Sequence, residues 1–292
     1  MQYVRKETMS NSNENTPRII VVDKAGRGDK TTIWSAMYEA SRTPGTVIQV
    51  RPGTYDENLE IAGGVALVAD GAMGTVIIEG RLTVNGGGPL IQGFFIKSTV
   101  IGVLAVSVIG GAPIIAGCVI TAPVPDATAL EVRNLNSSPR LIQTVFSGSG
   151  HCGIWVHSGA TGSFEGCEIW GNGGEGVVIQ NGGNAIFTKC TIKENGGNGI
   201  FVTERGKGKF EQCISAANRR GASIREGGDP IFIECTFTDN LEYGIIIRDG
   251  GIGNISNCLL KDNKIDAWYV QSTGWFSTPP GIRTNNKPNS PR

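Results

Sequence analysis

Short runs in which apolar and polar residues alternate recur through most of the chain, separated by segments rich in Gly, Asn and Asp. The phrase CEIWGNGGEGVVI, at 167–179, returns as CTIKENGGNGIFV at 190–202, which is 23 residues further on. A period of two with turn-forming residues between the runs is typical of β-strands and not of helices. The chain is therefore predicted to consist of many short strands.

Three residue types keep the same step over five repeats. Cysteine recurs at intervals of 23, 23, 22 and 23 residues, at Cys167, Cys190, Cys213, Cys235 and Cys258. Phenylalanine recurs at Phe164, Phe187, Phe210 and Phe232, and asparagine at Asn172, Asn195, Asn218, Asn240 and Asn263. A repeat of this length, too short for a propeller blade, predicts an all-β solenoid whose coils stack with a strand spacing of ~4.8 Å. Equivalent residues then form ladders along the axis.

Each ladder has a physical reason. Asparagine tolerates the left-handed backbone of a turn and can hydrogen-bond to its equivalent in the next coil. The cysteines are expected to behave as small buried apolar groups. Disulfides or a row of metal ions are the alternative, but side chains in register run parallel, and a structural zinc ion needs four converging ligands.

The ends of the chain lack the repeat. Residues 1–17 read as a flexible polar arm, and residues 18–45 as a first strand with a capping helix. The helix is predicted within TTIWSAMYEASR, at 31–42, where apolar residues recur at helical spacing: Ile33, Trp34, Met37, Tyr38 and Ala40. The solenoid is assigned to 46–270, and 271–292 to an irregular tail that could fold Trp275 and Phe276 over the last coil.

Composition excludes several classes of function. Lys+Arg and Asp+Glu both number 26, which argues against attraction to nucleic acid or to an anionic membrane. No apolar run is long enough to span a bilayer, and the N-terminus lacks the apolar stretch of a secretory signal. We therefore expect a cytoplasmic protein whose seven cysteines are reduced.

The segments DKTTIWSAMYEAS, TVIQVRPGTYDENLEI and VALVAD resemble the start of pectin-lyase-like β-helices. The coils from 139 to 270 resemble the carbohydrate-binding and sugar-hydrolase type of repeat. Within that set, GNGGEGVVIQNGGNAIFTKCTIKENGGNGIFVTERGKGKFEQC is most similar to the β-helix region of F-box-only ubiquitin-ligase adaptors. The resemblance implies a single-stranded, right-handed parallel β-helix. It implies a partner-binding role without ligase recruitment, because the arm before Pro17 could not hold an F-box.

Candidate catalytic groups are few. The paired aspartates with Gly-His-Gly of polygalacturonase-like enzymes and the DFIFG-like segment of pectin methylesterase-like enzymes have no match here. Carboxylates recur on the repeat at Glu204, Glu226 and Asp249, and an arginine precedes two of them. They could hold a calcium ion, as pectate-lyase-like enzymes require, but a solvated turn is the preferred interpretation. Asp239 and Asp262 also stack, with a spacing that would suit a retaining glycosidase.

The two histidines lie in HCGIWVH, with His151 next to Cys152 and His157 five residues later. A metal site or a Cys–His nucleophile would need a further ligand or orienting group, and none is near in sequence. Neither a metal nor a catalytic residue is therefore predicted. Cys152 is off the ladder and is expected to be the most exposed thiol.

In GIWV and its copies, the second and fourth residues are apolar and should face the core, so the third faces outward. These outward residues are Trp155, Val178, Phe201, Ser223, Ile246 and Tyr269. The next outward set is His157, Gln180, Thr203, Arg225, Arg248 and Gln271. An exposed apolar strip beside a polar strip predicts an interaction surface, unless the tail after Gln271 covers it.

The preferred hypothesis is a non-catalytic scaffold, or a subunit of a larger assembly, that binds a protein partner through this flank. The residues assigned to partner binding are Trp155, Val178, Phe201, Ile246, Tyr269, His157, Arg225 and Arg248. The alternative is a carbohydrate-binding or polysaccharide-active protein of the pectin-lyase fold, in which the aromatic residues would stack on sugar rings.

Overall fold

The computed structural model describes residues 17–43, 45–277 and 283–284. Within them the chain forms a β-solenoid in which each coil contributes one strand to each of three sheets, and all strand pairs within a sheet are parallel. The all-β parallel solenoid predicted from the repeat is therefore confirmed. Successive coils are joined in register, as the constant step of the repeat requires.

The three sheets are named in the order in which a coil visits them. Sheet A contains Ile19–Val22, Val47–Val50, Ala66–Ala69, Leu90–Gln92, Ile114–Ala116, Arg140–Ile142, Thr161–Glu165, Asn184–Thr188, Lys207–Glu211, Asp229–Ile233, Ile252–Ser256 and Trp275–Ser277. Sheet B contains Gly53–Asp56, Val76–Glu79, Phe95–Lys97, Val119–Thr121, Val145–Ser147, Glu168–Trp170, Thr191–Lys193, Ile214–Ala216, Thr236–Thr238, Leu259–Lys261 and Arg283–Thr284. Sheet C contains Leu59–Ile61, Leu82–Asn85, Val106–Gly110, Leu130–Arg133, Ile154–His157, Val177–Ile179, Asn198–Val202, Arg220–Ile224, Tyr243–Ile247 and Asp266–Val270.

Stacked phenylalanine rings form one of the predicted ladders inside the solenoid. The ring centroids of Phe164 and Phe187 are 4.4 Å apart, those of Phe187 and Phe210 4.8 Å, and those of Phe210 and Phe232 5.2 Å. The rings are nearly parallel for the first two pairs, at 6° and 7°. This spacing matches the strand spacing, so each ring packs on the ring of the next coil.

The cysteine ladder interlocks with these rings. All seven cysteines are free and buried, as expected of small apolar groups. The Cys190 thiol lies 3.5 Å from the carbonyl oxygen of Phe164, and the Cys213 thiol 3.4 Å from that of Phe187, so the thiols act as weak donors to the preceding coil. Cys118 occupies the equivalent place two coils before Cys167, because the strands that follow them, from Val119 and from Glu168, both pair with the strand at Val145.

The asparagine ladder runs along the turn between sheets B and C. The amide Nδ2 of Asn172 donates to Oδ1 of Asn195 at 2.9 Å, and that of Asn195 donates to Oδ1 of Asn218 at 3.0 Å. The same oxygens accept the backbone N–H of the preceding coil, at 3.1 and 3.0 Å. Each buried asparagine side chain therefore hydrogen-bonds to the backbone of a turn and joins two coils, as predicted.

A short helix, α1 (Ile33–Ala40), lies at the N-terminal end of the solenoid. Its first free N–H groups, on Ile33 and Trp34, donate to the Glu57 carboxylate at 2.9 and 2.8 Å, which ties the helix to a later coil. The predicted apolar face is wrong in part: Trp34 and Tyr38 are exposed and stack on each other, with centroids 5.7 Å apart. The helical step places both on the side of the helix away from its buried residues, which are Ile33, Ala36 and Ala40.

The C-terminal end differs from the predicted irregular tail. The backbone of Trp275–Ser277 pairs with Ile252, Gly253 and Asn254, and Arg283–Thr284 pairs with the preceding strand of sheet B. The polar arm, apart from Pro17, and most of the tail lie outside the described residues. Among the helices that the structure describes, none is long and apolar enough to cross a bilayer.

Candidate functional site

The third residue of GIWV and its equivalents in neighbouring sheet C strands form one row along the outside of the solenoid. The pairing register aligns Ser107, Glu131, Trp155, Val178, Phe201, Ser223, Ile246 and Tyr269. The residues on either side of Trp155, Ile154 and Val156, are fully buried in the core cluster, which excludes Trp155 itself. The outward direction of the row is thereby confirmed.

The row is not the open apolar strip that the sequence predicted. Three of the six residues predicted for the strip are almost inaccessible, with exposed fractions of 6 % for Val178, 1 % for Ser223 and 5 % for Ile246. Neighbouring side chains cover two others: the His157 ring stacks on Trp155 at 4.2 Å, and the Arg225 guanidinium lies 4.9 Å from the centre of the Phe201 ring. Only Tyr269, at 46 %, is as exposed as that prediction requires.

A buried polar network lies at the point where the row changes from aromatic to polar. Glu131 is 5 % exposed. Its Oε2 accepts a hydrogen bond from the Ser107 hydroxyl at 2.8 Å, and its Oε1 lies 3.1 Å from Nε2 of His157. Nε of Arg133 lies 3.5 Å from Oε2. One carboxylate thus joins residues from three successive strands.

These contacts determine the charge of Glu131. Burial by itself raises the pKa of this carboxyl group, but hydrogen bonds from His157 and Ser107 and the charge of Arg133 together hold the pKa below its usual range. Nδ1 of His157 lies 2.9 Å from the Ser158 hydroxyl, so both ring nitrogens have a partner. An ionised carboxylate that orients an imidazole is an arrangement that can accept and return a proton.

A small groove of about 170 Å³ adjoins this network on the side of the later coils. Its floor is apolar and is made by three neighbours in the row: Trp155, Val178 and Phe201. One edge is polar and is made by residues just before two sheet C strands: His151, Cys152 and Glu175. Gln180 lines the other edge. The groove thus presents aromatic faces between two polar margins.

The polar edge brings together groups from two coils. Sγ of Cys152 lies 3.2 Å from Nδ1 of His151, and the ligand atoms of His151, Cys152 and Glu175 are all within 4.8 Å of one another. The expectation that Cys152 is an exposed thiol is wrong, because the side chain is 1 % exposed. Burial and the neighbouring Glu175 carboxylate raise the pKa of the Cys152 thiol to about 12.

The carboxylates considered as calcium ligands lie elsewhere, on the turn that leaves sheet C. Glu204, Glu226 and Asp249 are exposed there and have left-handed backbone angles, with φ of 48°, 51° and 51°. Oε2 of Glu226 accepts a hydrogen bond from Thr203 at 2.9 Å, and Arg225 and Arg248 each lie beside the carboxylate that follows them. The three carboxylates do not converge within 4.8 Å in the described part of the chain. The solvated turn stays the preferred interpretation, and nothing in the described residues tests it.

Sequence reasoning missed Glu131, Ser107 and Arg133, because the repeat fades in the upstream coils. A signal was nevertheless present: LEVR at 130–133 aligns with IWVH at 154–157, which pairs Glu131 with Trp155 and Arg133 with His157. Glu175 was missed because it follows Cys152 by 23 residues and meets it only when the coils stack.

Comparison with known proteins gives the family context. A model described as the right-handed β-helix region matches residues 85–218 and 152–286. Over 78 residues, 25% of this chain, the sequence is 42% identical to pectinesterase 2 from Citrus sinensis. The match spans only 15% of that protein.

Solved structures share the fold at low sequence identity. A tailspike protein from an Acinetobacter baumannii bacteriophage, described as a capsular polysaccharide depolymerase, superposes with a TM-score of 0.61 at 12% identity, covering 92% of this chain and 57% of that one. Pectate lyase Pel9A superposes with a TM-score of 0.54 at 15% identity, covering 94% of this chain and 79% of that one. These likenesses show the fold, and they confirm the pectin-lyase-like resemblance.

The comparisons correct the hypothesis of a non-catalytic scaffold for a protein partner. The similar proteins are named as a pectinesterase, a pectate lyase and a polysaccharide depolymerase, and the resemblance to F-box-only adaptors gains no support from them. The structure points the same way, because the flank assigned to a protein partner is largely covered. It carries the buried network of Glu131 and His157 in place of an open apolar patch.

Proposed function

Because this chain belongs to the right-handed β-helix family, we propose that it is a carbohydrate-active protein that binds an acidic polysaccharide along the outer face of sheet C. The observation that carries the proposal is the buried Glu131–His157 pair beside a groove with an aromatic floor. The named activities of the similar pectinesterase, pectate lyase and depolymerase support the same class of substrate.

The floor of the groove suits a sugar chain. Trp155 and Phe201 are two strands apart, which places their rings roughly 10 Å from each other along the row. The parts of both side chains that line the groove are the surface against which a sugar ring would pack, while the polar margins bind hydroxyl groups.

Charge on the adjoining strip favours an acidic chain. The register of sheet C places Arg133 beside His157, and Arg225 and Arg248 continue the same row. Guanidinium groups recognise carboxylates through paired hydrogen bonds. A uronate carboxylate bound near Arg133 would lie next to the His157 imidazole.

The chemistry that we propose is proton abstraction next to that carboxylate. His157, oriented by ionised Glu131, removes the proton, and Arg133 offsets the negative charge that develops on the uronate. The electron pair left on carbon then expels the glycosidic oxygen, which takes up a proton from the His157 imidazolium, and leaves an unsaturated sugar.

The test uses polygalacturonate, alginate, methylated pectin and neutral xylan. We expect binding to an acidic chain, and ultraviolet absorbance from an unsaturated product that His157→Gln abolishes without loss of binding. Trp155→Ala should weaken binding at least about 10-fold, which is ~1.4 kcal/mol. Trp170→Ala is the matched control, because this tryptophan, 38 % exposed, lies on sheet B of the next coil, away from the groove.

Two outcomes would contradict the proposal. If none of the four polysaccharides binds, the carbohydrate function fails. If Trp155→Ala and Trp170→Ala weaken binding equally, the chain binds elsewhere than in the groove. Binding without product in the unmodified protein would remove the proton-transfer step and leave a carbohydrate-binding protein.

A further inference from the structure

The polar edge of the groove contains three side chains that are good ligands for a transition metal. His151 offers a ring nitrogen, Cys152 a sulfur and Glu175 a carboxylate oxygen, and these atoms all lie within 4.8 Å of one another. Sγ of Cys152 and Nδ1 of His151 are already 3.2 Å apart. Two ligands come from one coil and the third from the next, so the stacking of the coils assembles the set.

We propose that His151, Cys152 and Glu175 bind a zinc-class divalent ion. Zinc is held by nitrogen, sulfur and oxygen ligands, with ligand distances of about 2.0–2.3 Å. Calcium and magnesium prefer sites made of oxygen, which a thiol and an imidazole do not provide. Three protein ligands are the number that a zinc ion uses when it keeps a fourth position for water or substrate.

The surroundings hold the ligands in place. Nδ2 of Asn198 donates to Oε1 of Glu175 at 3.2 Å, which orients the carboxylate. The Thr128 hydroxyl lies 3.4 Å from Nδ1 of His151. A Cβ added to Gly174 would lie 3.5 Å from Cδ2 of His151, so the glycine backbone packs directly beside the ring. Partners of this kind commonly strengthen metal binding by 10- to 100-fold.

The set of ligands is particular to one pair of coils. The sheet C register places Cys152 opposite Glu175, and the equivalent position in the next three coils is Asn198, Arg220 and Tyr243. Stacking of a repeated residue therefore does not explain the cluster. Arg220, two coils after Glu175 at the same position, cannot serve as a metal ligand.

Binding has a defined proton balance. The Cys152 thiol loses its proton as the sulfur–metal bond forms, while Glu175 binds as a carboxylate and His151 as a neutral imidazole. One proton is then released to solvent for each ion bound at neutral pH. The open position of the ion faces the groove, because all three ligands line it. The inference does not rest on the proposed function, since metal binding needs no polysaccharide.

The experiment titrates the full chain, without a polyhistidine tag, with Co²⁺ as a spectroscopic probe and no polysaccharide present. We expect a single site, a thiolate-to-cobalt charge-transfer band, release of one proton per ion, and displacement of Co²⁺ by Zn²⁺. Cys152→Ser should abolish the band. His151→Ala and Glu175→Gln should each weaken binding by more than about 10-fold, and Asn198→Ala by about 10-fold.

Cys118→Ser is the matched control, because Cys118 is also a buried, unpaired thiol but lies on the cysteine ladder away from the groove. It should leave the band unchanged. The proposal is overturned if the unmodified protein shows no thiolate band, or if the band survives Cys152→Ser. If Cys152→Ser does not fold, the exposed His151 decides: a His151→Ala protein that binds Co²⁺ with unchanged affinity excludes the site.

Discussion

Removal of one side chain from the middle of the asparagine ladder tests whether the ladder stabilises the solenoid. Asn195 is buried, and its Oδ1 accepts hydrogen bonds from both N–H and Nδ2 of Asn172, at 3.1 and 2.9 Å. Its Nδ2 donates to Oδ1 of Asn218 at 3.0 Å and to the carbonyl oxygen of Ile169 at 3.3 Å. Asn195→Ala deletes all four contacts at once.

The magnitude follows from what remains behind. Nδ2 of Asn172 keeps a second acceptor, the carbonyl oxygen of Phe146 at 3.4 Å, but the buried N–H of Asn172 loses the acceptor it has on Asn195. A stranded buried donor costs about 1–3 kcal/mol, and each remaining lost bond about 0.5–1.5 kcal/mol. With one stranded donor and three other lost bonds, we expect Asn195→Ala to lower the free energy of unfolding by about 2.5–7.5 kcal/mol.

The assay is equilibrium unfolding in urea, followed by circular dichroism and by tryptophan fluorescence. Coincident transitions are needed before a single free energy is assigned. Asn184→Ala is the control, because this asparagine is exposed on sheet A and should change stability by less than about 0.5 kcal/mol. A cost below about 1 kcal/mol for Asn195→Ala would refute the reasoning. Hydrogen exchange at the Asn172 amide would show whether that N–H is the group left unpaired.

Two further predictions concern the core and the acid–base network. Phe187→Ala should lower the free energy of unfolding by about 3–5 kcal/mol, because the Phe187 ring is fully buried between two other phenylalanine rings. The control Ile186→Ala, on the exposed side of the same strand, should lower it far less. Equal losses of stability in urea unfolding would contradict this prediction. The pKa of Glu131 is lower in the folded protein than in the unfolded chain, where it is about 4.3. The ionised Glu131 carboxylate therefore stabilises the fold above pH ~4.3, and this stabilisation is lost as the pH falls through the pKa that Glu131 has in the folded protein. The unmodified protein should therefore be more stable than Glu131→Gln at pH 7, and a difference that did not shrink in acid would be the contrary result.

Much of the fold could be predicted because a solenoid repeats its constraints. Each ladder position must suit the coil above and below, so Phe187 or Asn195 is recognisable from its neighbours at a distance of about 23 residues. The helix was recognised by its spacing, but the side of it that packs was only partly identified. Position around the helix decided that point, since Ala36 lies on the side that faces the coils and Trp34 on the side that faces away.

The candidate site was harder to predict, because its residues break the repeat. Glu131 and His157 are unlike their equivalents in other coils, so no periodic signal connects them, although the register places their strands side by side. Cys152 shows the same difficulty. Its place off the ladder indicated exposure, yet neighbours from the next coil bury it.

The sequence by itself determined the coil length, the three ladders and the outward direction of the sheet C row, because these follow from periods of two and of about 23 residues. Only the tertiary structure decided which outward side chains are covered and which polar groups meet. Coverage depends on side chains such as Arg225, which folds over Phe201 from the neighbouring strand. Spacing along the chain places residues such as Cys152 and Glu175 in neighbouring coils about 4.8 Å apart, but whether their polar atoms turn toward each other depends on how the side chains around them pack.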